Sequence, residues 1–168
     1  MKRVCKLTIG TLGLLFLGVV LSAGEGFAQT TKDLVGTWTL VSNVTEQGGN
    51  KTDPFGPNPK GILTVDANGR YVIAITRAGL PKVASNNRTT GTPEENKAIV
   101  AGSIAHFGTM SVNEADKAIT FKIETATFPN WNGTEQKRPF TVTGDELTYT
   151  VAAASGGGTA TVVWKRAK

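Results

Sequence analysis

The sequence predicts an all-β domain of about eight antiparallel strands, arranged as a sandwich or a barrel. Three observations carry this. Short runs alternate apolar and polar residues, as in Ile119, Phe121 and Ile123 against Thr120, Lys122 and Glu124; that period of two marks a strand with one wet face. Turn signals such as Asn68-Gly69, Gly144-Asp145 and Gly156-Gly157-Gly158 separate the runs, because these residues tolerate the backbone angles of tight turns. Only one segment carries helix signals.

In chain order, Trp38 to Val44 forms the first strand. A long loop follows through Gly48-Gly49 and Asp53-Pro54-Phe55-Gly56-Pro57-Asn58-Pro59, since proline cannot donate to a ladder. The next two strands, Ile62 to Val65 and Tyr71 to Thr76, are joined by Asp66-Ala67-Asn68-Gly69. With Gly69 in the bulge position, Val65 faces Tyr71 and Leu63 faces Ile73. Thr92-Pro93-Glu94-Glu95 is a capping box with proline at the first helical position, and its acids suit a helix N-terminus. It opens a helix of about 12 residues, with small residues at Ala98, Ala101, Gly102 and Ala105, between strands three and four. The polar stretch from Arg77 to Gly91 before it is a long loop. A strand near Gly108 to Val112 comes next, then the alternating run around Phe121. The Gly144-Asp145 hairpin sets Val142 across from Leu147 and Phe140 across from Tyr149. The triple glycine precedes a last strand with Ala160, Val162 and Trp164.

Ahead of this domain lies a secretory leader by its chemistry. Lys2, Arg3 and Lys6 form a positive region, Leu7 to Leu21 is almost uninterrupted in apolar and small residues, and Gly26-Phe27-Ala28 offers a cleavage site. The apolar run falls short of the ~20 residues that span a bilayer. Residues 1–28 are therefore expected to be removed, leaving residues 29–168 as one domain in the periplasm or outside the cell, with no stable membrane anchor. Cys5, the chain's one cysteine, lies in the leader, so the domain relies on burial and not on disulfides.

Of the 18 basic side chains three are in the leader, as is one of the 13 acidic ones, so the domain's own charge is modest. No basic stripe interleaves with aromatics, which argues against a nucleic-acid partner. One histidine in the chain and no cysteine in the domain argue against a zinc or copper site, and no cofactor is implied. Nucleophile elbows, Cys-His pairs and phosphate-cradling loops are absent from the sequence, and no catalytic residue is assigned. The Asn-x-Thr triplets at Asn43, Asn50, Asn87 and Asn132 are read as incidental, since the motif is short.

Leu34-Val35-Gly36-Thr37-Trp38, Gly61-Ile62-Leu63, the acidic helix start, His106-Phe107-Gly108-Thr109, the segment from Pro129 to Arg138 and the closing Trp164-Lys165-Arg166 form an ordered set. Taken together, they make the chain resemble the bacterial and fungal lipocalin-like domain family over nearly all of residues 29–168. The resemblance implies an up-and-down, calycin-like barrel, with Trp38 plugging the closed end and Arg166 packed over it as a structural pair. Two features of better-known lipocalins are missing: the disulfide that ties down the tail, and a helix after the last strand.

Parity along the strands points Leu63, Val65, Tyr71, Ile73, Phe121, Ile123, Phe140, Val142, Leu147, Tyr149 and Val162 inward. An eight-stranded barrel is either filled by such side chains or holds one small ligand, and residue size does not decide between the two. The candidate ligand-binding residues are Tyr71, His106, Phe121, Trp131, Gln136, Arg138, Phe140 and Tyr149. Gln136 and Arg138 share the inner face of Phe140. Arg138 either meets a ligand's carboxylate or phosphate through its planar fork or forms a salt bridge to Glu94 or Glu95. His106 is either a base or ligand donor or a structural group. Trp131 either stacks on a ligand or staples its loop.

These residues support an exported protein binding a small hydrophobic or amphipathic molecule inside the barrel, with the helix as a mobile lid. One alternative is a calycin-type cyclase or isomerase using the same cavity, with His106 and Tyr71 or Tyr149 acting. The other is a filled-barrel envelope protein that works through its outer surface.

Overall fold

The computed structural model describes residues 30–168; the expected leader and its cleavage site lie outside the described residues. A short helix α1 (Thr31–Leu34) leads into β1 (Gly36–Gln47), β2 (Asn50–Thr52), β3 (Lys60–Val65) and β4 (Arg70–Thr76). Helix α2 (Pro93–Ala101) precedes β5 (Ser103–Asn113), β6 (Ala118–Ala126), β7 (Glu135–Thr143), β8 (Glu146–Val151) and β9 (Thr159–Arg166). Every strand pairs antiparallel with its neighbour, in the order β2-β1-β3-β4-β5-β6-β7-β8-β9, and β1 also pairs β9. That last pairing closes eight strands into an up-and-down barrel, with β2 appended outside the ring.

The hairpin registers follow from turn chemistry. Leu63 pairs Ile73 and Val65 pairs Tyr71, because Gly69 takes φ 79° and absorbs the bulge. A side chain there would meet the Met110 carbonyl at 2.6 Å, so the glycine serves the turn and the close approach of β5 at once. Phe140 pairs Tyr149 and Val142 pairs Leu147. Of the residues assigned inward by parity, all are buried except Val142, which is half-buried at the edge of the core.

Two expectations are corrected. Gly48-Gly49 is a two-residue hairpin turn with both residues at positive φ, which folds Asn50–Thr52 back onto Thr45, Glu46 and Gln47 as an extra strand. The helix therefore lies between the fourth and fifth strands, not the third and fourth. It is also shorter than its small-residue spacing indicates. Gly102 ends it by donating to the Ala98 and Ile99 carbonyls, and Ala105 is already in β5, where pairing with Ala74 wins over helical continuation. The start of α2 is as expected: Glu95 N–H donates to Thr92 Oγ1 at 3.2 Å and Thr92 N–H to Glu95 Oε2 at 2.8 Å. Ala84 N–H donates to the same carboxylate, and these backbone hydrogen bonds hold the Glu95 pKa below its usual range.

The barrel has one closed end. Trp38 is buried there and donates from its indole N–H to the Leu34 carbonyl at 2.9 Å. The Arg166 guanidinium lies 4.1 Å from the Trp38 ring centre and donates to the Val35 and Asp33 carbonyls at 2.9 and 2.7 Å. The last strand thereby pins α1 across the bottom of the barrel. Truncation of Trp38 to alanine is expected to cost about 3–5 kcal/mol. Arg166→Ala should cost about 1–3 kcal/mol through the lost cation–π contact and the orphaned carbonyls. Urea unfolding of both variants checks this; equal stability to the parent protein contradicts the plug.

Candidate functional site

Strand periodicity does not run uninterrupted along β1. Trp38 and Leu40 point into the barrel, but the register to β9 slips between Leu40 and Ser42. This bulge at Val41 shifts the alternation by one, so that Asn43, Thr45 and Gln47 line the interior while Ser42, Val44 and Glu46 face outward. Unbroken parity from Trp38 carries Glu46 inside, at the cost of burying a carboxylate. That conflict is the signal by which these inner polar residues were legible, and sequence reasoning missed them.

Above the core formed by Trp38, Leu63, Ile119, Leu147 and Trp164, the barrel is open. A cavity of about 420 Å³ runs from mid-barrel to the loop end. Its walls are Ile73 and Ile75 from β4, Ile104 from β5, Val151 from β8 and Val162 from β9. Its mouth is framed by Phe55, by Val100 of α2, by Phe128 and Trp131, and by the loop from Ala154 to Gly157. Trp131 ends a 3₁₀ turn over Pro129–Trp131; it packs edge-on to Phe128 and to His106, so it both staples its loop and faces the cavity. Helix α2 contributes no buried side chain, and Val100 is 75% exposed. The helix rests across the mouth with little apolar anchorage.

A polar cluster sits at the base of the cavity. Tyr71 Oη lies 2.9 Å from His106 Nδ1, and Tyr71 packs edge-on to Phe121. Burial, followed by the nearby Arg138 charge, depresses the His106 pKa to about 3, so the imidazole is neutral at physiological pH. Burial also pushes the Tyr71 and Tyr149 hydroxyls up, partly offset by Arg138. The direction of that contact sets the tautomer: Tyr71 donating to Nδ1 leaves the proton on Nε2, while Nδ1–H donating to Tyr71 Oη leaves Nε2 an acceptor.

Arg138 is 2% exposed. Its Nη2 donates to Gln136 Oε1 at 2.9 Å, while its Nε is buried without a partner. The guanidinium carbon lies 4.5, 5.1 and 5.9 Å from the ring centres of Phe121, Tyr149 and Trp131. Among the described residues no carboxylate lies within 4.0 Å of it. The expected alternative of a salt bridge to Glu94 or Glu95 is therefore not made; Glu95 is committed to the start of its own helix. Burying a charge without a counter-ion is costly, and the aromatic faces offset only part of that.

Of the eight candidate residues, His106, Trp131, Arg138 and Tyr149 line the cavity. Tyr71, Phe121 and Gln136 stand behind them, each touching His106 or Arg138. Phe140 pairs with Tyr149 and is buried away from the cavity. No group of three or more His, Cys, Asp or Glu side chains among the described residues is placed to hold a metal ion.

The sequence pattern of the lipocalin-like domain family matches residues 35–167. The chain belongs to that family. No curated protein matches it. For a lipocalin-like domain the closed barrel and open mouth are the common frame, and the side chains inside this one decide what it does.

The His106 shift makes a checkable statement. Its pKa is lower in the folded chain than the ordinary value of 6.5, so the unfolded chain takes up the proton first. Stability from this residue is complete above about pH 6.5 and falls as pH drops toward 3, by at most about 1.4 kcal/mol per pH unit. NMR of the imidazole should show no titration between pH 8 and 5, and His106→Gln should flatten the acid loss of stability. An imidazole that titrates near 6.5 contradicts the buried neutral assignment.

Proposed function

We propose that this protein binds a small hydrophobic or amphipathic molecule inside the barrel and carries it outside the cytoplasm, after removal of residues 1–28. The observation that supports binding most directly is the cavity of about 420 Å³. It lies in the range of small-molecule sites, about 300–1,000 Å³, has aliphatic walls, and opens through loops at one end. The weakly anchored α2 serves as a lid: its capping box makes it a rigid unit, and its lack of buried side chains lets it move as one. Export rests on the leader's charge, length and cleavage chemistry.

A second reading, a cyclase or isomerase, has one observation in its favour: the 2.9 Å contact between Tyr71 and His106 beside the cavity. It ranks lower because an imidazole with a pKa of about 3 is a weak base at neutral pH.

Filling the cavity tests the binding reading. Ile75 is buried on the wall midway up the site, and Ile75→Trp should occupy the space. The expected result is at least a tenfold (~1.4 kcal/mol) loss in affinity for the apolar probe N-phenyl-1-naphthylamine, with the unfolding midpoint little changed. Probe binding that survives the substitution contradicts binding inside the barrel. A parent protein that binds no apolar probe points to function through the outer surface.

A further inference from the structure

Arg138 is a permanent cation placed where the protein supplies nothing negative. Its side-chain hydrogen-bond partners are neutral, the Gln136 amide and the Tyr149 hydroxyl, and three aromatic faces surround it. Arginines in barrel interiors that serve only the fold are expected to find a carboxylate, because leaving a buried charge unpaired costs more than either partner gains. We propose that the base of this cavity is an anion site, and that the ligand is an amphiphile with a single carboxylate-type charge that enters head-first onto Arg138. This deepens the binding reading above and rests on it.

A second observation is independent of the guanidinium. The other polar side chains at that depth carry no charge. His106 is held by Tyr71 through Nδ1 and adds no charge. Thr45, 8% exposed, brings a hydroxyl from across the barrel. Beside it is Asn43, whose Oδ1, an acceptor, is buried without a partner and calls for a donor and not for a ligand's anionic oxygen. Among the residues lining the cavity there is no Asp, Glu or Lys, and Arg138 is the one formal charge. A net charge of +1 in a site of low dielectric is matched by a monoanion; a dianionic phosphate monoester leaves an excess negative charge buried. Above this polar layer, Ile75, Ile104 and Val151 line the way to the mouth and suit an apolar body. Head-first entry is the orientation that puts the charge on Arg138 and the chain on these walls.

The experiment compares decanoate, 1-decanol and decyl phosphate at pH 8, by isothermal titration and quenching of tryptophan fluorescence, on the purified protein and on Arg138→Met. Decanoate should bind at least about tenfold tighter than decanol, the scale of a charge-assisted pair, and tighter than decyl phosphate. Arg138→Met should abolish the preference, bringing decanoate down to the level of decanol. Equal affinity for decanoate and decanol on the parent protein overturns the anion site while leaving the container reading standing. A preference for decanoate that persists in Arg138→Met also overturns it, and tighter binding of decyl phosphate overturns the single-charge assignment. Failure of all three probes to bind strikes the container reading itself, and with it the anion site. The acid-to-alcohol comparison on the parent protein decides the question even if Arg138→Met does not fold.

Discussion

Pairing of β1 with β9 is the constraint on which everything else in this molecule depends. It runs from Trp38 opposite Arg166 to Glu46 opposite Thr159, the length of the first strand, and it turns an open sheet into a ring. Closure removes free edges from the eight-stranded ring and gives each of its strands a single inner face. The same pairing places Arg166 over Trp38, so the step that closes the ring also seals one end. Large side chains are then concentrated at that end, with Trp38 and Trp164 both buried. The smaller Ile75, Val151 and Ala160 line the other, and the space that remains there is the cavity.

The bulge at Val41 sets the chemistry of that space. Without it β1 turns Val44 and Glu46 inward; with it the strand contributes Asn43 and Thr45. The result is a barrel with a dry lower half and a polar layer midway, capped by aliphatic walls. Within the polar layer, ring faces hold the Arg138 guanidinium from the sides, and Gln136 orients it through Nη2. A neutral His106, fixed by Tyr71, faces the same space without adding charge. Desolvation is the cost of this arrangement, and for the anion site proposed above it is also the source of selectivity, since a charge excluded from water discriminates strongly among partners.

Much of the fold was legible because local chemistry and global topology agree. Gly69 fixes the pairing of Leu63 with Ile73, and Gly144-Asp145 fixes that of Val142 with Leu147. Thr92 and Glu95 mark a helix start by reciprocal hydrogen bonds. The features that escaped depend on contacts distant in sequence. The extra strand β2 exists because Gly48-Gly49 folds back onto β1, and glycine pairs signal loops and tight hairpins alike. The end of α2 was overrun because Ala105 suits a helix as well as a strand, and only pairing with Ala74 decides. In the site, alternation on β7 brought Gln136 and Arg138 together correctly. The same alternation also nominated Phe140, which lies too deep to reach the cavity. Parity predicts which face a side chain takes; it does not predict height along the barrel.

What separates this molecule from a filled barrel is the space of about 420 Å³ in its upper half. Native mass spectrometry of the protein as isolated, and again after incubation with decanoate, tests it most directly. The expected result is a mass increment of one small molecule that vanishes on denaturation, or that appears stoichiometrically after incubation and is lost in Ile75→Trp. A parent protein whose native and denatured masses agree before and after incubation contradicts it.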